Sequence, residues 1–260
     1  MSGKLPGLAS SRYVIPLRIV IIIFGCISVT WGLVTFPVFR SQASIEHTAS
    51  HIISGEPFKV ETLMGQMPIV EAAERSAHCR PRALWSAAII RLRIIEQADS
   101  GGAGKSIDVQ QIKSLDNSIR SSLSCSPADP FLWLILYWTE VTKNGFDRNY
   151  LNYLRMSYRL GPNEGWVALK RSPHAFINFD RLPGDLVDEG INEFLRLLKS
   201  QQFFVEAANI LVGPAWRVRD QVLPRLIELS EHDRKTFMQV LQSKGYDVPI
   251  PGIQFRKSRD

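Results

Sequence analysis

Few residues in this chain have the types and spacing that chemistry demands, and each group admits a plainer reading. Gly101-Gly102-Ala103-Gly104-Lys105-Ser106 has the outline of a phosphate-binding loop, in which backbone amides and a lysine would cradle a nucleotide. That pattern needs Gly, or at most Ala, five residues before Gly104, and Asp99 stands there. It also needs a buried strand leading into the loop, whereas the residues before it carry helical spacing together with Arg91 and Arg93. Asp99 to Ser106 is therefore read as a flexible loop between helices, with no nucleotide.

His47 and His51 stand four apart, so on a helix they share a face and have the spacing of a metal-binding pair. No cluster of Cys, Asp or Glu in the neighbouring sequence completes four ligands, and the expectation is a pair of surface histidines. His78 next to Cys79 suggests thiol activation, but neighbours on a helix point about 100° apart and form no dyad. Asp185, Asp188 and Glu189, and again Glu228, Glu231 and Asp233, fall near expected helix starts or on exposed faces, where the helix dipole favours acids. Paired acid and base roles need an apolar cleft that separates two pKa values, and no stretch of sequence describes one. No catalytic, cofactor-binding or metal-binding residue is expected, and the chain is not read as an enzyme.

The elements around these residues begin with an apolar segment. Ile19 to Phe39 carries no charge over 21 residues, enough helix to cross a hydrocarbon core of about 30 Å. Lys4, Arg12 and Arg18 precede it and Arg40 closes it, a bias that places residues 1–18 in the cytoplasm and the rest beyond the membrane. The run is too long for a cleavable signal, and a lipoprotein signal at Gly25-Cys26 would leave an apolar mature start. Three of the six net positive charges lie in that leading flank. Elsewhere basic and acidic residues are interspersed, which excludes a phosphate-binding stripe, and no nucleic acid is expected.

Residues 40–67 read as a neck, helical from Ser41 to Ile53 and broken at Ser54-Gly55-Glu56-Pro57. From Pro68 onward apolar residues recur at threes and fours: Ala83 to Ala98, Ile107 to Leu123, Phe131 to Val141 and Phe146 to Leu160. The pattern resumes over Leu186 to Leu198, Phe203 to Val212, Val218 to Leu229 and Phe237 to Leu241. Ser230 is placed to cap a helix and Gly245 to end it. Val248-Pro249-Ile250-Pro251-Gly252 cannot continue one, so residues 249–260 read as a tail after a helical extension over 181–248. The expected fold class is mainly α.

Three times a helix ends, a Pro follows and a Trp opens the next helix: Pro81 and Trp85, Pro127 and Trp133, Pro162 and Trp166. Gly213-Pro214-Ala215-Trp216 is a looser fourth copy. Pro stops the outgoing helix yet fits the first turn of the next, and the indole fills the space between helix pairs. This arrangement resembles the tetratricopeptide repeat over roughly residues 68–172, and residues 68–180 are expected to form a solenoid of helical hairpins. Ile89, Tyr137 and Lys170 stand where that family places a small residue, so the hairpins must pack differently. In such a stack Cys79 and Cys125 hold equivalent places two residues before a Pro, which implies a disulfide between them, with Cys26 left in the span.

The resemblance implies a membrane-anchored interaction platform that binds another protein. The lack of any Asn-x-Ser/Thr acceptor leans toward a bacterial inner membrane with the main domain in the periplasm. An assembly that makes or exports envelope polysaccharide is the suggested context. The alternative is a glycan-binding or glycan-active domain built from Trp133, Trp138, Tyr150, Tyr158 and Asp180.

Overall fold

The computed structural model describes residues 11–76, 78–100 and 108–254. Among them the structure is helical, without a strand. The chain divides into two compact units, Met1–Ala103 and Gly104–Asp260.

The first unit opens on helix α1, Ser11–Ile53, a single helix of 43 residues. Ile15–Phe36 within it is long and apolar enough to cross a membrane, and none of that stretch is buried in the protein. This stretch begins four residues earlier than the uncharged run and so includes Arg18. The same helix then runs on into the neck without a break as far as Ile53, and the chain leaves helical structure over residues 54–59. Its last turns pack Ile45 and Ala49, both fully buried, beside α2 (Val60–Gly65), α3 (Met67–Glu74) and α4 (Pro81–Ser100). On α4 the small residues Ala83 and Ala87 and the larger Ile90 and Ile94 form one stripe at helical spacing, and Leu63 and Val70 close over it. Gln66 joins α2 to α3 and donates to the Thr48 hydroxyl at 2.7 Å, while Arg91 grips Glu74 with two bonds of 2.8 and 2.7 Å.

The structure corrects the loop boundary at the end of this unit, since α4 continues through Asp99 and Ser100. Residues 101–106 lie outside the described residues, and with them the glycine-rich motif.

The second unit holds α5 (Val109–Cys125), α6 (Pro130–Asn144), α7 (Leu151–Leu160), α8 (Gly165–Ile177) and α9 (Gly184–Lys199). Asp108 and Asp129 cap α5 and α6 by accepting from the amides of Gln110 and Leu132. Pro130, not Pro127, takes the first turn of α6. Further on are α10 (Phe204–Val212), the short α11 (Arg219–Val222) and α12 (Glu231–Ser243). The expected helix Val218 to Leu229 is instead a tight three-residue-per-turn path either side of α11, since Pro224 removes an amide donor.

Helix α9 is the axis of this core. Phe194 meets Phe176 of α8 edge-on at 5.9 Å and Phe237 of α12 at 6.0 Å, with all three rings fully buried. Leu198, Leu211 and Leu241 fill the space around them. The chain after Gly245 does not trail away, because Val248 and Ile250 insert into the same core and the Arg234 guanidinium donates to the Pro251 carbonyl.

Candidate functional site

Helix α8 buries Val167, Ala168, Arg171 and Ala175 on one stripe, so a guanidinium lies where the helical pattern calls for an apolar side chain. A buried charge must be paired, and α9 supplies Glu193 from its own buried stripe. Both side chains are essentially inaccessible. The Arg171 Nε donates to a Glu193 oxygen at 2.9 Å, and its Nη2 binds the same carboxylate and the Gly161 carbonyl, the latter at 3.0 Å. Its Nη1 reaches the Ser157 hydroxyl at 2.9 Å, and the Ser172 hydroxyl donates to the other Glu193 oxygen at 3.1 Å. The guanidinium also lies 4.2 Å from the centre of the Tyr158 ring, adding a cation–π contact.

Burial pushes the Glu193 carboxyl above the ordinary carboxylate value, with Arg171 and Ser172 opposing. Burial likewise raises the Tyr158 hydroxyl, helped by Glu193. The cluster ties α7, α8 and α9 together, and Arg171 keeps the carboxylate from acting as a free base.

Against this cluster lies a groove of about 620 Å³ between α8, α9 and the turn leading to α10. Trp166, 38% exposed, stands at its rim with one side on Phe131 at 4.9 Å between ring centres. Phe203 lines it as well, with its ring against Gly165. A side chain at Gly165 would bring a Cβ to 2.7 Å from the Phe203 ring, so the glycine permits this close approach. Arg196 and Lys199 from α9 also line the groove, together with Asn163, Ser200 and Gln202. Arg196 pairs with Glu189 at 3.4 Å, but its Nε is buried without a hydrogen-bond partner. The groove thus joins two aromatic walls to a positive rim, and its carboxylate, Glu193, is already neutralised.

The residues singled out by sequence are dispersed. Trp85 is half-buried in α4 and Pro81 begins that helix. Trp133 is half-buried and donates its indole N–H to the Pro127 carbonyl at 2.8 Å, which joins a Trp and a Pro of the repeated pattern directly. Pro162 lies on the groove beside Trp166. Trp133 stacks on Tyr153, which stacks on Tyr150, but Tyr158 is buried and Asp180 pairs with Arg217 at the surface. Asp185, Asp188, Glu228 and Glu231 are each bound to an arginine or lysine, while Asp233 donates its amide to the capping Ser230 hydroxyl at 3.0 Å and accepts from that hydroxyl on its carboxylate at 2.6 Å. Cys26 is a free cysteine, whereas neither Cys79 nor Cys125 is without a partner.

Sequence reading missed the Arg171–Glu193 pair and the groove. The signal was available, since both charges interrupt apolar stripes of period 3.6. Among the described residues the protein is thus mainly helical, with one helix long and apolar enough to span a bilayer. No protein-family model, curated protein or solved structure matches it.

Proposed function

We propose that the protein is a membrane-anchored interaction platform on the extracytoplasmic side of a bacterial inner membrane. Its role is to bind another protein, as accessories of envelope polysaccharide assemblies do. The observation that carries this reading is the continuity of α1. One uninterrupted helix presents an exposed apolar stretch, Ile15–Phe36, and then enters the core of the first unit through Ile45 and Ala49. Exposed apolar side chains over that length need a lipid environment. The lysine and arginine flank sets the orientation.

The Trp166 groove is the docking surface of this platform, and its occupant is a segment of the partner that offers an apolar side chain flanked by carboxylates. Aromatic walls match the first feature, and the charges of Arg196 and Lys199 match the second. A photoreactive amino acid in place of Trp166 tests this in intact membranes. A discrete protein adduct that weakens when Lys199 is changed to Glu supports the reading. No adduct beyond that of a probe at exposed Lys235 contradicts it.

A glycan ligand is the second reading, favoured by the half-exposed Trp166 and the stacked Trp133, Tyr153 and Tyr150. The helical hairpins are proposed to follow the tetratricopeptide plan, with Cys79 and Cys125 joined to each other. An oxidising compartment favours that bond, and both residues being engaged while Cys26 is free supports it.

A further inference from the structure

We infer that His47 and His51, oriented by Glu56, form a binding site for an imidazole-preferring divalent transition metal of the Zn2+ and Cu2+ class.

The site arises from how α1 ends. Gly55 adopts a left-handed conformation, φ +87°, and its amide donates to the Ile52 carbonyl at 3.0 Å, while the Glu56 amide donates to the His51 carbonyl at 3.0 Å. These two bonds define a Schellman cap, which reverses the chain and lays residue 56 back over the last turn. The Glu56 carboxylate consequently reaches Nδ1 of His51 at 2.5 Å. A carboxylate only accepts, so His51 carries a proton on Nδ1, and in the neutral ring its Nε2 presents a lone pair. A carboxylate on the far nitrogen of a ligating imidazole is the recurrent outer-shell arrangement of metal-binding histidines, fixing both tautomer and ring direction.

One helical turn earlier, His47 brings its Nε2 to 3.1 Å from Nε2 of His51. The ring centres are 4.2 Å apart and the planes are tilted by 43°, so the rings lie side by side with both Nε2 edges toward the same point. An end-on N–H···N bond would hold the centres much farther apart than the nitrogens. Metal–nitrogen bonds of ~2.0–2.1 Å spanning 3.1 Å subtend roughly 100° at the metal. That angle lies between the right angle of square or octahedral coordination and the tetrahedral angle. When a cation binds, the Nε2 proton of His47 passes through solvent to its own Nδ1, leaving two lone pairs for the metal and no net change in protons. Water completes the coordination, as no third His, Cys, Asp or Glu joins the pair among the described residues. His47 is exposed and the His51 side chain is 34% exposed, so a hydrated ion has access.

The test titrates full-length protein in detergent micelles with Cu2+, followed by electron paramagnetic resonance, and then displaces the copper with Zn2+. The expected result is one saturable site with two imidazole nitrogens on the copper. His47→Ala and His51→Ala each abolish that signal, Glu56→Gln weakens binding by about tenfold, and His232→Ala changes nothing. Copper bound equally well by the His47→Ala/His51→Ala double variant would overturn the assignment, as would a one-nitrogen signal. Helical circular dichroism of the variants excludes misfolding as the cause, since both histidines lie at the surface of α1.

Discussion

Arg171 of α8 and Glu193 of α9 form an ion pair in the interior of the second unit, Nε to Oε2 at 2.9 Å, with neither side chain reaching solvent. Removing one member leaves an uncompensated buried charge, a cost of about 3–5 kcal/mol, whereas an apolar pair of similar volume is near neutral. Arg171→Met and Glu193→Leu should each lower unfolding stability by that amount in urea titrations. The double variant should recover most of the loss. Additive losses in the double variant would mean that the two residues do not act as a pair.

His174 gives a pH signature. Burial, reinforced by the positive charge of Lys170, lowers its pKa from 6.5 to about 4. Above pH 6.5 the imidazole is neutral whether folded or not, and stability is full. As pH falls below 6.5 the unfolded chain takes up a proton that the folded one resists, so stability declines until about pH 4 and then levels with respect to this group. The total is about 3 kcal/mol at ~1.36 kcal/mol per pKa unit. Denaturant midpoints from pH 7.5 to 4 should fall less steeply in His174→Gln than in the natural chain, and parallel curves would exclude the effect.

Gly161 predicts a packing defect. A Cβ there would approach Pro130 side-chain carbons at 2.7 and 2.8 Å, and the Gly161 carbonyl also accepts from Arg171. Gly161→Ala should therefore destabilise by about 1–3 kcal/mol through overpacking. Gly184, whose Cβ would meet nothing within 4 Å, provides the control, since Gly184→Ala should change stability little. Equal effects at the two glycines would refute the close-packing argument.

The proposed pairing of Cys79 with Cys125 closes a loop of about 46 residues, worth about 4 kcal/mol in the chain-entropy model. Thiol titration of unreduced, unfolded protein should find one reactive thiol per chain, that of Cys26. Three thiols would remove the bond and with it the support it lends to an oxidising compartment.

Helix identity was largely legible because it rests on local spacing. The stripe of α4, the Ser230 cap of α12 and the stop at Gly245, φ +83°, follow from residues within a turn or two. Pro224 broke an expected helix, whereas Pro173 lies inside α8 without ending it, because the helix is held on both sides of the proline by buried Ala168 and Phe176. The groove was not legible. Trp166 and Phe203 are far apart in sequence and come to line one groove only through the fold, and although Arg171 and Glu193 each interrupt an apolar stripe, nothing local says that the two pair with each other. His47 and His51 were legible as a pair, but the role of Glu56 depends on the chain reversal at Gly55.

The anchoring claim is tested most directly by carbonate extraction of cell membranes carrying either the full-length chain or a chain that begins at Ser41. The full-length protein is expected to sediment with the membranes while the shortened form, which keeps Ile45 and Ala49, is found in the soluble fraction. Release of the full-length protein by carbonate, or membrane retention of the shortened one, would contradict it.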